Sequence, residues 1–455
     1  MEMTKKQPSD RPEPSRGRIR DPGRLMGEQV PTSPPFGFAQ TQRMPRRKLI
    51  RCKGEGHCIT IAGTGTGKGV GALIPNALMH DGQLIVLDVS GEITSVCARR
   101  RREIGDQVVV IDPFNTTSAS TDSMNPMDMM LLSGTGPEEA AETLASLLGI
   151  GHESTRDTYW TTTSRALLAG LLADAGGSEF EHERTLNHVV EVAGAGELDY
   201  DLAVRLDKGA VHNEFASMRY REYLSIPEGS SAGTRSCVLS TMRQMLHPFQ
   251  SGAVRKCLHP SSFRVADLLA GEAPLSIFIV LPFNRLTAYK GLMRMWVSAI
   301  MSVLSSRTRI PQRRTLLLID ETAQMGTLEQ LPSMYAYLRG VGVNIWTFWQ
   351  SLEQLSACYT TTWRSMVENS AAIQTFGLAR PSLAAMANLL EVPRKTLEDL
   401  GGGRLLLTAN GQDPTTLARI DYRTHRLFRG MFDPNPRYLN NPRGPMPGSD
   451  PGCTM

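Results

Sequence analysis

From residue 48 onward, short runs of consecutive apolar residues alternate with stretches whose apolar positions recur every three or four residues. HCITIAG (57–63), QLIVLDV (83–89) and QVVVIDP (107–113) are of the first kind. Side chains alternate sides along a strand, so a run that is apolar throughout predicts a strand covered on both faces, as in a parallel sheet. The helical patterns between the runs predict βαβ units. Residues 136–265 read differently. PEEAAETLASLLGI opens with Pro137 and two acids, suited to a helix N-terminus, and Leu144, Leu147 and Leu148 share one face. Leu167, Leu168, Leu171 and Leu172 do the same in a second helix, and Val238, Leu239, Met242, Met245 and Leu246 in a later one. Nothing there reads as a strand, so an all-helical insertion is expected. Strand-like runs resume with LSIFIVL (275–281), TLLLID (315–320), NIWTFW (344–349), AIQTFG (372–377) and RLLLTA (404–409). The expected fold is α/β with a mainly parallel sheet, its two parts (48–135 and 266–432) separated by a helical domain at 136–265.

The ends differ from this body. Residues 1–47 are rich in Pro, Arg, Gln and Ser and predict a disordered arm. Lys5, Lys6, Arg11, Arg16, Arg18, Arg20, Arg24, Arg43, Arg46 and Arg47 make it basic, either as a solvated tail or as a contact for nucleic acid or acidic lipid. Residues 433–455, rich in Pro, Gly and Asn, predict a disordered tail. The 455-residue chain is 41% hydrophobic, ample for a core. Its net charge of +4 is too mild to indicate a nucleic-acid partner, so local charge must decide. The seven cysteines form no CxxC and no zinc-like spacing, which fits reduced thiols in a cytoplasmic protein. His182, His188, His212 and His247 are too dispersed in sequence for a metal site. No stretch approaches the roughly 20 apolar residues of a membrane span.

Candidate chemistry begins at HCITIAG-TGTGKG. Strand, glycine loop and following helix make a phosphate cradle: glycines let successive backbone N–H groups turn inward, and the helix N-terminus adds partial positive charge. Gly63, Thr64, Gly65, Thr66, Gly67, Lys68 and Gly69 are the nucleotide-binding candidates, with Lys68 reaching the β- and γ-phosphates. The usual GxxxxGK[ST] pattern departs at both ends, with Ala62 first and Gly69 last. Gly69 carries no hydroxyl for Mg²⁺, which readily keeps an extra water instead. A plain tight turn is the alternative. The second candidate is RRTLLLIDE (313–321), an apolar strand ending in two carboxylates. There Asp320 can hold Mg²⁺ through water while Glu321 orients the attacking water; a simple surface cap is the alternative. The carboxyl ends of parallel strands are where such sheets bind ligands.

With these residues in place, the chain resembles the type IV secretion coupling proteins of conjugative DNA transfer, the TraG family. AGTGTGKGVGALIPNAL, LIVLDVSGEI, VVVIDPFN with SMNPM, and RLFRGMFDPNP carry the likeness, and LLLIDETAQMGTLEQLPSMYAYLRGVGVNIWTFWQSLEQL is its most specific stretch. The match runs in order over most of residues 50–436, and the family also has GKG in place of GK[ST]. The resemblance implies a RecA-like P-loop NTPase with an inserted all-α domain, ATP and Mg²⁺ as cofactors, and assembly as a homo-hexamer. It implies a relaxase carrying single-stranded DNA and the secretion channel as partners. By motif position it implies that Gln350 senses the γ-phosphate and that Arg339 reaches into a neighbour's site. The family's two-helix membrane anchor has no counterpart in this sequence, so a cytoplasmic chain is expected, peripheral at the inner membrane through partners.

Other features stay open at this level. RRRR at 99–102 suits DNA, a neighbouring subunit, or a solvated helix end. Asp88, Glu92 and Asp112 suit the nucleotide site, a subunit contact, or structural capping. Trp346, Phe348 and Trp349 are expected in the core rather than as stacking platforms. Besides an ATP-driven DNA translocase, two functions fit: a recruitment adaptor with little turnover, and a cytosolic packaging or segregation motor.

Overall fold

The apolar runs do form strands. The computed structural model describes residues 23–30, 48–52, 55–117, 119–132, 136–149, 158–227, 233–409 and 411–438. Its strands are β1 (Arg24–Gln29), β2 (Leu49–Cys52), β3 (His57–Ala62), β4 (Leu84–Asp88), β5 (Gln107–Ile111), β6 (Leu275–Val280), β7 (Thr315–Ile319), β8 (Val343–Trp349), β9 (Ser370–Phe376), β10 (Arg404–Ala409) and β11 (Thr415–Ala418). They make one 11-stranded sheet in the order β2-β1-β11-β10-β9-β3-β8-β7-β4-β6-β5. From β9 to β5 every neighbouring pair is parallel. The β10, β11, β1 and β2 end is antiparallel.

Every residue of β3, β4, β6, β7 and β8 is buried, which is why these strands read as unbroken apolar runs. Ile59, Ile61, Ile85, Leu87, Leu317 and Ile319 face one core. Cys58, Leu84, Val86, Leu316, Leu318, Trp346 and Phe348 face the other. The second core is covered by the helical segment Gly69–Met79 and the helix Glu92–Glu103. The first is continuous with Leu144, Leu168, Leu172 and Val238 of the helical segment, so those helices share their core with the sheet. Between β5 and β6 the described residues hold helices and turns and no strand. Trp346, Phe348 and Trp349 are fully buried, with both indole N–H groups satisfied by Thr60 and Thr347. No described helix is long and apolar enough to cross a membrane.

Two expectations about the ends need correction. Arg24–Gln29, placed in the disordered arm, is a strand between β11 and β2. Its backbone is held by side chains from far along the chain: Asn76 bonds both Leu25 N and Leu25 O, and Gln374 donates to Met26 O. Arg24 itself is buried, donating to Gly56 O and toward Cys52 Sγ. The rest of the predicted arm up to residue 47, apart from residues 23–30, lies outside the described residues. Likewise Asp433–Tyr438, placed in the disordered tail, packs on the helix Glu92–Glu103 through Asp433 N to Val96 O (3.1 Å) and Arg99 Nε to Asp433 (2.5 Å). Residues 439–455 lie outside the description.

The basic run at 99–102 is mostly structural. Arg101 is fully buried, paired with Asp106 at 2.5 Å and donating to Ser276 Oγ at 2.9 Å and to the carbonyls of Ala77, His80 and Gly82. Arg100 is buried as well, Arg99 is half-buried and paired with Glu103 and Asp433, and Arg102 is exposed. Burial of this kind closes a helix against the sheet and leaves no guanidinium of Arg101 for DNA.

Candidate functional site

Register decides what meets at the sheet's carboxyl edge. Ile61 of β3 lies opposite Trp349 of β8, and Thr347 lies opposite Ile319 of β7. The residues that follow each strand (Gly63 onward, Gln350 and Asp320) therefore emerge at one edge. Three of the loop's glycines are required, one by space and two by backbone conformation. A Cβ on Gly63 would stand 2.3 Å from Gly377 O, and Gly65 and Gly67 have φ of 70° and 94°. Past the loop the helical segment starts as a wide turn in which Ile74 N–H reaches back to Gly69 O. Pro75 follows, and its missing N–H is compatible with that irregular turn.

Gly63, Thr64, Gly65, Gly67, Lys68 and Gly69 line a cavity of about 230 Å³ together with Asp320 and Glu321. Thr66 is placed otherwise. Its hydroxyl turns back onto Gly63 O at 2.7 Å, and its carbonyl accepts from Arg419, so it fixes the loop's shape. Lys68 is buried, donates to Ala62 O at 3.0 Å and lies 3.4 Å from Glu321 Oε1. Gln350 Nε2 donates to Glu321 Oε2 at 2.8 Å, and Gln354 in turn holds Gln350 through backbone and side chain at 3.0 and 3.3 Å. Lysine, glutamate and glutamine thus form one line of contacts at the edge. Glu321 sits at φ 44°, ψ 51°, a left-handed conformation that costs a non-glycine residue about 1–2 kcal/mol. Thr322 stabilises the turn by donating to Ile319 O and accepting from Phe348 N.

Asp320 donates its backbone N–H to Leu87 O and accepts Glu321 N–H at 2.9 Å. Burial, then the nearby Glu321 and Asp88 carboxylates, push its carboxyl up to about 8, against the pull of Lys68. A site that raises a carboxyl in this way favours a cation, and Asp320 supplies the oxygen donors that a hard divalent ion takes. The residues present therefore fit Mg²⁺. A Cβ on Gly69 would lie 3.8 Å from Glu92 Oε1 with no closer contact, so space is open beside Gly69 where other loops carry a hydroxyl.

The remaining candidates separate. Asp88 is committed to capping: Oδ1 accepts from Ser90 N and Oγ, and Oδ2 from Thr94 N and Oγ1. Asp112 takes Thr117 N and Oγ1 on one oxygen, while Oδ1 has no partner among the described residues. Glu92 lines the cavity and accepts from Asn435 Nδ2 at 2.7 Å. Arg339 is exposed on the turn Leu338–Val341 that precedes β8, at the opposite edge of the sheet from Lys68, and is not part of its own chain's cavity. In the helical segment, His188 and His212 do come together, lining one small cavity with Asp174 and Glu183. Neither there nor elsewhere among the described residues do three or more His, Cys, Asp or Glu side chains converge as a metal-ligand cluster. Sequence reasoning missed Arg419, Arg423 and Tyr438: Arg419 grips Thr66 O, and the other two line the cavity. No local pattern singles them out.

A glycine loop after a buried parallel strand, a lysine held at its end, and a paired acid on the next strand but one define a RecA-like P-loop NTPase. The family model described as "Type IV secretory system Conjugative DNA transfer" matches residues 23–384. The chain belongs to that family. Among relatives, it is 28% identical over 314 residues to the conjugal transfer protein TraG of Rhizobium radiobacter, covering 67% of this chain and 47% of that one. It is 25% identical over 313 residues to the type IV secretion system-coupling protein VirD4 of Bartonella quintana, covering 66% and 47%. The chain thus spans about half the length of the curated relatives it matches. Its fold is that of the plasmid coupling protein TrwB in complex with ADP and Mg²⁺, with TM-score 0.60 and 16% identity over 80% of this chain and 85% of that one. VirB4 of Thermoanaerobacter pseudethanolicus is also similar in fold, with TM-score 0.54 and 14% identity over 89% of this chain and 98% of that one.

Proposed function

We propose that this chain is an ATP-hydrolysing coupling protein that recruits a relaxase-bound single strand of DNA and drives it into a type IV secretion channel. The observation that carries the reading is the continuous line Lys68–Glu321–Gln350 beside Asp320 at the mouth of the glycine loop. Loop N–H groups and Lys68 bind the β- and γ-phosphates. Asp320 would hold Mg²⁺, and the ion would offset charge on the phosphate oxygens. Glu321 orients and polarises a water. Its attack on the γ-phosphorus breaks the bond to the bridging oxygen and releases ADP and phosphate. Gln350, tied to Glu321, reads whether the γ-phosphate is present. Arg339 acts across a subunit boundary in a homo-hexamer, where an arginine supplied in trans accelerates hydrolysis by about 10³–10⁵. Backbone contacts to the phosphates of the strand suffice for a translocase. The chain works in the cytoplasm and meets the inner membrane through partners.

Gly69 favours a second reading, a nucleotide-binding adaptor with little turnover. ATP turnover by the purified chain, with and without single-stranded DNA and beside Glu321→Gln, separates the two. DNA-stimulated turnover abolished by the substitution supports the motor. Tight ATP binding with no turnover under any DNA condition sinks it and leaves the adaptor.

A further inference from the structure

The cavity has two ends. At one, Lys68 Nζ meets Glu321. At the other, the chain returns after β11 and Tyr422 N–H reaches Val70 O at 3.5 Å, beyond Lys68 on the first turn of the helical segment. Phosphates in a glycine loop run toward the lysine, so the nucleoside leaves from the Val70 side. Two side chains unused by the phosphate chemistry, Arg423 and Tyr438, line the cavity there.

Arg423 is only 5% exposed. Asp421 holds it with both oxygens, at 3.0 and 3.3 Å from Nε and 2.7 Å from Nη2. Its Nη1 is buried with no hydrogen-bond partner among the described residues. A buried donor without a partner is costly, and Arg423 lines the cavity, so a ligand there that supplied an acceptor would relieve that cost. The Arg423 guanidinium carbon lies over the Tyr438 ring, 4.5 Å from its centroid, so the two side chains form a cation–π pair. Tyr438 is brought to this place by its own segment: Asn435 bonds Glu92 and Tyr422 Oη at 2.7 and 2.9 Å, and Tyr438 N–H bonds Asn435 O at 2.9 Å.

We propose that Arg423 and Tyr438 form the nucleoside-end subsite of this cavity, with the base packing against this cation–π pair and Arg423 Nη1 donating to the nucleoside. The inference rests on the nucleotide reading of the loop and adds the part that distinguishes a nucleotide from bare polyphosphate. An aromatic ring backed by a pinned arginine is a surface on which any base can stack. The subsite therefore binds ATP and ADP alike and ignores the phosphate count.

Calorimetric titration of the purified chain with Mg-ADP and, separately, with Mg-tripolyphosphate tests it. Tyr438→Ala is expected to weaken ADP about 10-fold and leave tripolyphosphate within about 2-fold, and Tyr438→Phe to keep both. Arg423→Gln is expected to follow Tyr438→Ala. Lys68→Ala weakens both ligands. An unchanged ADP affinity in Tyr438→Ala, or an equal loss for ADP and tripolyphosphate, overturns the subsite while leaving the phosphate cradle standing. Wild-type protein that binds neither ligand overturns the nucleotide reading and the subsite with it.

Discussion

Asp88 and Asp320 stand at the ends of neighbouring parallel strands, β4 and β7, with Leu87 and Ile319 paired just before them. Position and residue type are the same, but their surroundings set them apart. Asp88 accepts four hydrogen bonds from Ser90 and Thr94 and caps the first turn of the helix that follows. Asp320 accepts one hydrogen bond among the described residues and lines the cavity beside Lys68. The carboxylate of Asp88 is used up by its own helix, whereas that of Asp320 is left with oxygens to spare. A strand-end acid thus becomes chemical when the residues after it donate little. Ser90 and Thr94 satisfy Asp88, whereas Glu321 adds a second negative charge beside Asp320.

The largest effect that sharpens this contrast is on turnover. Glu321→Gln should lower kcat about 10²–10⁴-fold in phosphate release, with an unchanged thermal midpoint, because the amide keeps the shape but cannot polarise water. Asp88→Ala should act in the opposite sense, costing about 2–3 kcal/mol in urea denaturation from lost capping bonds while leaving nucleotide affinity near wild type. An effect that is small at neutral pH and grows in acid comes from the sheet's other edge. His57 Nδ1 accepts Ile345 N–H at 2.9 Å, and burial, then Arg24, lowers its pKa from 6.5 to about 3. Its folded pKa lies below its unfolded one, so its stabilising contribution is full above about pH 6.5 and is lost as pH falls toward about 3. His57→Asn, which offers an oxygen to Ile345, should flatten the decline by up to about 1.4 kcal/mol per pH unit. The smallest effect is Gly69→Ser. Space beside Glu92 admits the side chain, so the fold should hold and Mg²⁺ dependence of turnover should shift only a few-fold toward lower concentration.

The parallel strands and the helical segment were legible because burial on both faces leaves unbroken apolar runs, while helix packing leaves faces of Leu and Met. Asp320, Glu321 and Gln350 were legible because they follow such strands at once, and Lys68 because the glycine loop after β3 carries it. What was not legible depends on distant partners. RLMGEQ contains only two large apolar residues, and it is a strand because Asn76 and Gln374 complete its hydrogen bonding. Asn435 and Tyr438 sit in Pro-rich sequence and gain order through Glu92, while Arg423, in the polar run RIDYRTHR, is placed by Asp421. The run at 99–102 advertises charge, yet its third arginine is an interior strut because Asp106 and three backbone carbonyls surround it. The left-handed backbone of Glu321 has no signature in a residue that is not glycine.

The most direct measurement puts Asp320→Asn and Asp88→Asn side by side, recording DNA-stimulated ATP turnover and the urea midpoint for each. The expected result is a double dissociation. Asp320→Asn loses turnover and keeps its stability, since burial and the neighbouring carboxylates already hold the Asp320 carboxyl toward its neutral form, while Asp88→Asn loses stability and, when folded, keeps turnover. Equal loss of turnover in both with no difference in stability would contradict the assignment of chemistry to the β7 edge.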